Sequence, residues 1–165
     1  MIIIKGWYHL TSIIKYLLYK LVYGSRLNIG KNVTWRRGFS IMKTKEAVIK
    51  IGDNCFFNND CSIGANLLVE IGEGTLFGEG VKIYDHNHRF RDDISIKAQG
   101  YSNGKVFIGK HCWIGSNVVI LKGAEISDNC VIGAGCVINN FIPQGSIVKN
   151  TGNYEIQKIA KRGSI

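Results

Sequence analysis

Residues 108–137 decide the fold: they run IGKHCW, IGSNVV, ILKGAE, ISDNCV, IGAGCV, five consecutive units of six residues that each begin with isoleucine. The same period gives fourteen units between residues 29 and 143. Their first position is Ile in eleven units and Trp35, Phe57 or Phe77 in the other three, so it is always large and apolar. A fixed short period indicates a solenoid built from one repeating structural element.

The fourth and fifth positions of the unit explain how the chain bends and packs. The fourth is Asn or Gly in ten units, and both residue types tolerate the positive φ of a tight bend. The fifth position precedes the next first position by two residues, as Cys112 precedes Ile114, and such side chains share one face of a strand. One short strand and one bend per unit therefore predict a parallel β-helix with three strands per coil.

Composition and cysteine usage limit the class of protein. The chain has 165 residues, 45% of them hydrophobic, with 20 Gly and a single Pro, which excludes general disorder and collagen-like sequence. An odd number of cysteines without a Cys-x-x-Cys pair argues against a disulfide framework and for a reducing, cytoplasmic location. The net charge of +9 predicts an anionic partner. All five cysteines occupy the fifth position and are interpreted as buried side chains: Cys55, Cys61, Cys112, Cys130 and Cys136.

Two terminal segments do not follow the period. Residues 1–28 predict an amphipathic helix, from about Trp7 to Tyr23, with a thin polar stripe. Lysines within it argue against a membrane span. Two hypotheses remain for the helix: it packs on the end of the domain or on a neighbouring subunit, or residues 1–23 make a peripheral contact with the inner face of the membrane. Residues 151–165 predict a short basic C-terminal helix.

The β-helix domain, residues 29–150, is interrupted by one long polar loop at residues 89–105. His86 and His88 lie where the repeat stops and this loop begins, and long loops on a rigid scaffold often carry function. Asp85 precedes them and is open to three hypotheses: a partner that orients an imidazole, a substrate contact, or a bend residue without a further role.

The repeats resemble the hexapeptide-repeat acyltransferases, in particular the galactoside, maltose and nodulation-factor acetyltransferases and the polysaccharide O-acetyltransferases. The resemblance rests on the WIGS element at 113–116, the Gly-Ala-Gly coil at 133–135, and Asn58, which stands thirty residues before His88. It implies an all-β fold, a left-handed parallel β-helix of about five coils. It also implies a homotrimer with sites between subunits.

The activity implied by the resemblance is that of an acetyl-CoA-dependent O-acetyltransferase acting on a sugar hydroxyl, in capsular, O-antigen or exopolysaccharide biosynthesis. His88 is expected to be the general base, with His86 as second candidate, and Asn58 is expected to bind the acceptor or the tetrahedral intermediate. Direct transfer is expected because no Ser or Cys lies beside the histidines in the register. Acetyl-CoA is expected to contact Trp113, Ser116, Ala134, Asn139 and Asn140.

The sequence also departs from the family pattern. Asn139-Asn140 stands where many members have the Thr-Lys pair that meets the nucleotide end of the cofactor. Lys122, Lys149 or the basic C-terminal helix are therefore the candidates for the phosphate contacts.

Three other functions are weighed against O-acetyl transfer. An N-acetyltransferase acting on a nucleotide-activated amino sugar would share the fold. A metalloenzyme similar to the γ-class carbonic anhydrases would need three His ligands, and His86, His88 and His111 supply the number without an evident ligand spacing. A non-catalytic β-helix has no reason to break the register with paired histidines and a polar loop. No metal is expected, and nucleic acid is not expected as a partner because the basic residues are not grouped with aromatic platforms.

Overall fold

The computed structural model describes residues 2–152 of the chain. Helix α1 spans Ile2–Tyr23 and is followed by a 3-10 turn at Gly24–Arg26. A left-handed parallel β-helix of about six coils follows. The period predicts the parallel β-helix and the family resemblance implies its left hand, while the coil count is one more than expected. The predicted C-terminal helix falls on residues 153–165 almost entirely and so lies outside the described part of the chain.

The β-helix is a three-sided prism, and each side is a parallel sheet whose strands come from successive coils. Face A contains β1 (Leu27–Ile29), β4 (Val48–Ile51), β7 (Leu68–Ile71), β12 (Val106–Ile108), β15 (Glu125–Ile126) and β18 (Phe141–Ile142). Face B contains β2 (Thr34–Trp35), β5 (Phe56–Phe57), β8 (Leu76–Phe77), β13 (Trp113–Ile114), β16 (Val131–Ile132) and β19 (Ile147–Val148). Face C contains β3 (Ser40–Lys43), β6 (Ser62–Ala65), β9 (Lys82–Tyr84), β14 (Val119–Ile120) and β17 (Val137–Ile138).

First-position side chains stack in register along the inside of the prism. On face B, the rings of Phe57 and Phe77 lie 4.4 Å apart and nearly parallel, and Phe39 from the neighbouring corner lies 4.8 Å from Phe57. Stacked aromatic rings bury large apolar areas and contribute beyond that burial. All five cysteines are buried among these side chains, which confirms their interpretation as core residues.

The corners of the prism adopt the backbone conformation that the fourth position predicts. Nine of its ten Asn and Gly residues have positive φ, as do Asp60 and His111, which occupy the same position in other units. The tenth, Asn66, differs because β6 runs on to Ala65 and the chain there turns around a carboxylate, that of Asp85, to which the Asn66 N–H donates at 2.7 Å.

The second-position glycines have a different cause, the close approach of neighbouring coils. A Cβ on Gly115 would lie 2.6 Å from the backbone nitrogen of Ala134 and 2.8 Å from the carbonyl oxygen of Ile132. Both contacts are with backbone atoms, which cannot move aside by changing a side-chain rotamer. The Ile-Gly dipeptide of the repeat thus pairs a buried side chain with the absence of one.

The polar loop is ordered by its own hydrogen bonds. It begins with β10 (His86–His88), which pairs antiparallel with β11 (Tyr101–Asn103). Between them, the buried Gln99 side chain donates to the Asp92 and Ile94 carbonyls at 3.0 and 2.8 Å and accepts from the Asp92 N–H at 3.1 Å. The polar loop is therefore a hairpin on the corner between faces C and A. Its tip is held by the hydrogen bonds of one side-chain amide, that of Gln99.

Helix α1 lies against the first coil, chiefly against β2. No helix within residues 2–152 combines the length and the apolar character that crossing a bilayer requires.

Candidate active site

Asp85 is the anchor of the histidine segment. It follows β9 and is completely buried, and its carboxylate accepts backbone N–H groups from Asn66, Leu67 and Leu68 at 2.7, 2.6 and 2.8 Å. The same carboxylate lies 3.0 Å from Nδ1 of His86. A buried charge needs this number of partners. These contacts support the hypothesis that Asp85 orients an imidazole, while its role in binding substrate stays a prediction.

His86 is held by its neighbours on two sides. With Nδ1–H donating to Asp85, the ring keeps Nε2 as its proton acceptor. The Tyr101 ring meets the His86 ring edge-on, with centroids 5.2 Å apart. The His86 side chain retains 21% exposure. It is therefore an oriented, partly accessible base.

His88 lies two residues further along β10 and is exposed. Its ring is 4.5 Å from that of Tyr101, so the tyrosine lies against both histidines. His88 lines an open cavity of about 510 Å³ at the base of the polar loop. The cavity is also lined by Asn87, Arg89, Phe90, Arg91, Asp92, Ser102 and Lys122.

The loop brings residues to this cavity that the repeat pattern does not predict. Lys122, from the corner after β14, donates to the Ser102 hydroxyl at 2.6 Å. Arg89 and Arg91 add two further cations. Tyr101 and Ser102 lie in β11, a strand that the hexapeptide period does not predict, and Gly100, which has a φ of 72°, is the one turn residue in the sequence that precedes it directly.

The predicted site residues divide between two corners of the prism. Asp85, His86 and His88 lie at the corner between faces C and A, which also carries Lys122. Asn58 lies at the corner between faces B and C, where its amide oxygen accepts from Arg36 at 3.1 Å and from the Asn59 N–H at 2.9 Å. Within the described residues, none of the hydrogen bonds of Asn58 reaches either histidine.

The predicted cofactor residues are divided in the same way. Ser116 and Ala134 occupy the corner between faces B and C on successive coils, where the Gly135 N–H donates to the Ser116 carbonyl at 2.9 Å. Trp113, on face B beside them, is 60% exposed. Asn139 and Asn140 are exposed at the other corner, after β17. The structure therefore groups Trp113, Ser116 and Ala134 with Asn58, and the two asparagines with the histidines.

Neither a thiol nucleophile nor a three-histidine site is assembled here. Burial raises the pKa of the Cys55, Cys61 and Cys112 thiols, which keeps them protonated. His111 lies at the corner between faces A and B, away from His86 and His88. Across residues 2–152, no three His, Cys, Asp or Glu side chains are grouped so that they could hold a metal ion.

Comparison with known proteins agrees with this architecture. Residues 105–140 match the family model of the bacterial transferase hexapeptide (six repeats). The putative lipopolysaccharide biosynthesis O-acetyl transferase WbbJ of Escherichia coli is 30% identical over 152 residues, which are 87% of this chain and 77% of that protein. The chain belongs to the hexapeptide-repeat acetyltransferases.

Other acetyltransferases share a smaller part of their length with the chain. A probable acetyltransferase of Mycobacterium tuberculosis is 36% identical over 108 residues, 64% of this chain and 36% of that protein. Galactoside O-acetyltransferase of Escherichia coli is 32% identical over 114 residues, 69% of this chain and 56% of that protein. The solved structure of a galactoside acetyltransferase in complex with coenzyme A superposes with a TM-score of 0.67 at 28% identity, covering 82% of this chain and 66% of that one.

Proposed function

We propose that the chain transfers an acetyl group from acetyl-CoA to a sugar hydroxyl, in the biosynthesis of a capsule, O-antigen or exopolysaccharide. The observation that carries the proposal is the position of His88, exposed on a paired β-hairpin and lining a polar cavity large enough for a sugar. The similarity to a putative lipopolysaccharide biosynthesis O-acetyl transferase supports the class of acceptor.

His88 is the general base of the proposed reaction. Its ring nitrogen takes the proton of the acceptor hydroxyl as that oxygen attacks the thioester carbonyl, and a tetrahedral intermediate forms. The intermediate then collapses, the carbon–sulfur bond breaks, and the proton on His88 passes to the sulfur of coenzyme A. Donors at the oxyanion stabilise the intermediate, and the Asn58 amide group and a backbone N–H near Ser116 are our candidates. The Asp85–His86 pair positions the hairpin that carries His88.

The complete site is proposed to form between two copies of the chain in a homotrimer. The histidines lie at the corner between faces C and A, whereas Asn58, Ser116 and Ala134 lie at the corner between faces B and C. Two corners of one prism cannot enclose one substrate, but corners of adjacent prisms in a cyclic trimer can. One copy would then supply the base and the next would supply Asn58 and the contacts to the pantetheine arm.

A cytoplasmic location belongs to the same proposal, because the buried thiols are free and acetyl-CoA is an intracellular donor. The peripheral membrane contact expected of residues 1–23 concerns a different surface of the molecule, the outer side of helix α1.

Release of free coenzyme A tests the proposal. The purified chain is incubated with acetyl-CoA and a panel of saccharides, and the new thiol is measured with a chromogenic disulfide while acetylated products are identified by mass spectrometry. Saccharide-dependent thiol release with an O-acetylated product is expected. Thiol release that only amino sugars stimulate, with an N-acetylated product, would favour N-acetyl transfer and contradict the proposal.

A further inference from the structure

Helix α1 is attached to the β-helix by its polar side. Ser12 is buried, and its hydroxyl donates to the Trp35 carbonyl at 3.2 Å. The Tyr23 hydroxyl donates to the Ile41 carbonyl at 3.0 Å, and Lys15 donates to the Phe39 carbonyl at 2.9 Å. The stripe that an amphipathic helix usually turns to water here faces the protein.

The edge that the first coil exposes explains this orientation. Hydrogen bonds between coils run in both directions: the Arg36 N–H donates to the Phe57 carbonyl at 3.0 Å, and the Asn54 N–H donates back to the Lys31 carbonyl at 2.8 Å. No coil precedes the first one, so some of its N–H and C=O groups lack a partner in a neighbouring coil, and unpaired buried backbone groups are costly. Side chains of α1 supply both kinds of partner: besides the donors above, the Ser12 hydroxyl accepts from the Trp35 N–H at 3.4 Å and the Tyr19 hydroxyl accepts from the Ile41 N–H at 3.2 Å. The polar stripe therefore caps the first coil of the β-helix and does not face water.

The consequence is that the apolar side of α1 faces outward. Six aliphatic side chains, which we term the apolar stripe, are between 51% and 84% exposed: Ile13, Ile14, Leu17, Leu18, Leu21 and Val22. They form a continuous surface over nearly three helical turns. A contiguous exposed apolar surface of this kind marks an interaction site.

The segment that contains α1 and the first coil carries the positive charge of the chain. Residues 1–50 contain ten of the 21 Lys and Arg residues and one of the 12 Asp and Glu residues. Residues 51–165 contain eleven of each sign, so the first fifty residues hold the whole net charge of +9. The single acidic residue there, Glu46, is paired with Arg26 at 2.7 Å. Exposed cations of the first coil include Lys31, Arg36, Arg37 and Lys45.

We propose that the apolar stripe inserts into the interfacial region of a membrane rich in anionic lipids, with the cations of the first coil against the head groups. An outward apolar helix face flanked by basic residues has the two properties that such binding requires. A second copy of the chain is a poorer occupant, because two surfaces that both carry the positive charge of residues 1–50 repel each other. Membrane binding does not depend on the chemistry of acetyl transfer, and it would place the proposed reaction at a membrane surface.

Vesicle sedimentation of the full chain tests the proposal. Vesicles of phosphatidylcholine alone are compared with vesicles that contain phosphatidylglycerol as well. Binding to the anionic vesicles, decreasing as salt is added, is expected. The double variant Leu17→Gln/Leu21→Gln should bind at least about tenfold more weakly, because it removes apolar groups from the contact with the bilayer. Arg37→Gln/Lys45→Gln should also weaken binding, by about tenfold.

A matched control replaces two equally exposed aliphatic side chains elsewhere, Val137→Gln/Ile147→Gln, and should bind anionic vesicles like the unaltered chain. Circular dichroism verifies that each variant is folded. Absence of binding to anionic vesicles, or equal binding by Leu17→Gln/Leu21→Gln, would overturn the proposal. So would a change of assembly mass in that variant by sedimentation without lipid, since the stripe would then be buried between copies. Acetyl transfer to a water-soluble saccharide does not involve this surface, so the two proposals fail separately.

Discussion

The Asp85 carboxylate lies 3.0 Å from Nδ1 of His86, and it also receives three backbone N–H groups from the neighbouring coil. One buried side chain therefore fixes both the path of the chain at Asn66 and the orientation of the first histidine. The hairpin that presents His88 begins at this point. Stability of the corner and geometry of the site are coupled through Asp85.

Replacing Asp85 should lower stability and turnover together. In Asp85→Asn, an amide NH₂ group faces N–H donors, which leaves polar groups unpaired at a cost of about 2 kcal/mol in unfolding free energy. Turnover should fall by about tenfold or more at temperatures where the variant is fully folded, because His86 loses its orienting charge. Denaturant unfolding and kcat measure the two effects.

Asp60→Asn is the matched control, since Asp60 is exposed and has φ of 60°, which Asn tolerates. Its stability should stay within about 0.5 kcal/mol of the original. An Asp85→Asn chain with unchanged kcat would contradict the positioning role, whatever its stability.

Mixing two inactive variants should restore activity if the site is shared between copies. Asn58→Ala and His88→Ala each remove one half of the proposed site. In mixed trimers, an interface between an intact His88 and an intact Asn58 is complete, and random mixing makes this so at about a quarter of the interfaces. Co-expression with two different affinity tags and an activity assay check this. Mixed trimers as inactive as the separate variants would place both residues in one copy's site or in none.

The hexapeptide period predicts the fold closely, because each position in the repeat meets a local structural requirement. Positive φ at Asn54 or Asn117, and backbone contact at Gly115, follow from single residues. The contacts of the polar loop do not follow in this way. The pairing of β10 with β11 and the hydrogen bond between Lys122 and Ser102 join residues that are distant in the sequence and not related by the repeat. The inward orientation of the polar stripe of α1 was not predictable either, because its hydrogen-bond partners are backbone groups far along the sequence.

The buried thiols should resist alkylation in the folded protein. Burial raises the pKa of Cys55, Cys61 and Cys112, so the reactive thiolate is scarce at pH 8. Iodoacetamide should modify them only after unfolding, with activity retained until then. Mass spectrometry of peptides from treated protein measures the modification, and rapid labelling accompanied by loss of activity would contradict a core role.

The same shift has a consequence for stability at high pH. Because the folded-state pKa of these thiols is raised, the unfolded chain loses its thiol protons first as pH increases. Their contribution to stability is therefore complete below the ordinary thiol pKa, 9.0, and is lost as pH rises beyond it. Denaturant midpoints measured at about pH 7, 9 and 10 should therefore decrease over this series. A chain with Cys55→Ala should lose less.

Gly115→Ala should destabilise the chain through the spacing of its coils. The added Cβ would lie 2.6 Å from a backbone nitrogen, so two coils must separate, and we expect a loss of about 3 kcal/mol in unfolding free energy. Gly145→Ala is the control: its Cβ meets no atom within 4 Å, and only its φ of 71° is unfavourable, at about 1 kcal/mol. Equal losses for the two variants would contradict the steric explanation.

The direct measurement of the central claim is acetyl transfer by His88→Ala compared with the unaltered chain, on the saccharide that gives the highest rate of coenzyme A release. His111→Asn serves as control, because His111 lies at another corner with a positive φ that Asn adopts readily. We predict that His88→Ala loses about 10²-fold to 10⁴-fold in kcat with unchanged unfolding, and that His111→Asn stays near the original rate. Near-normal turnover in folded His88→Ala would contradict the assignment of His88 as the base.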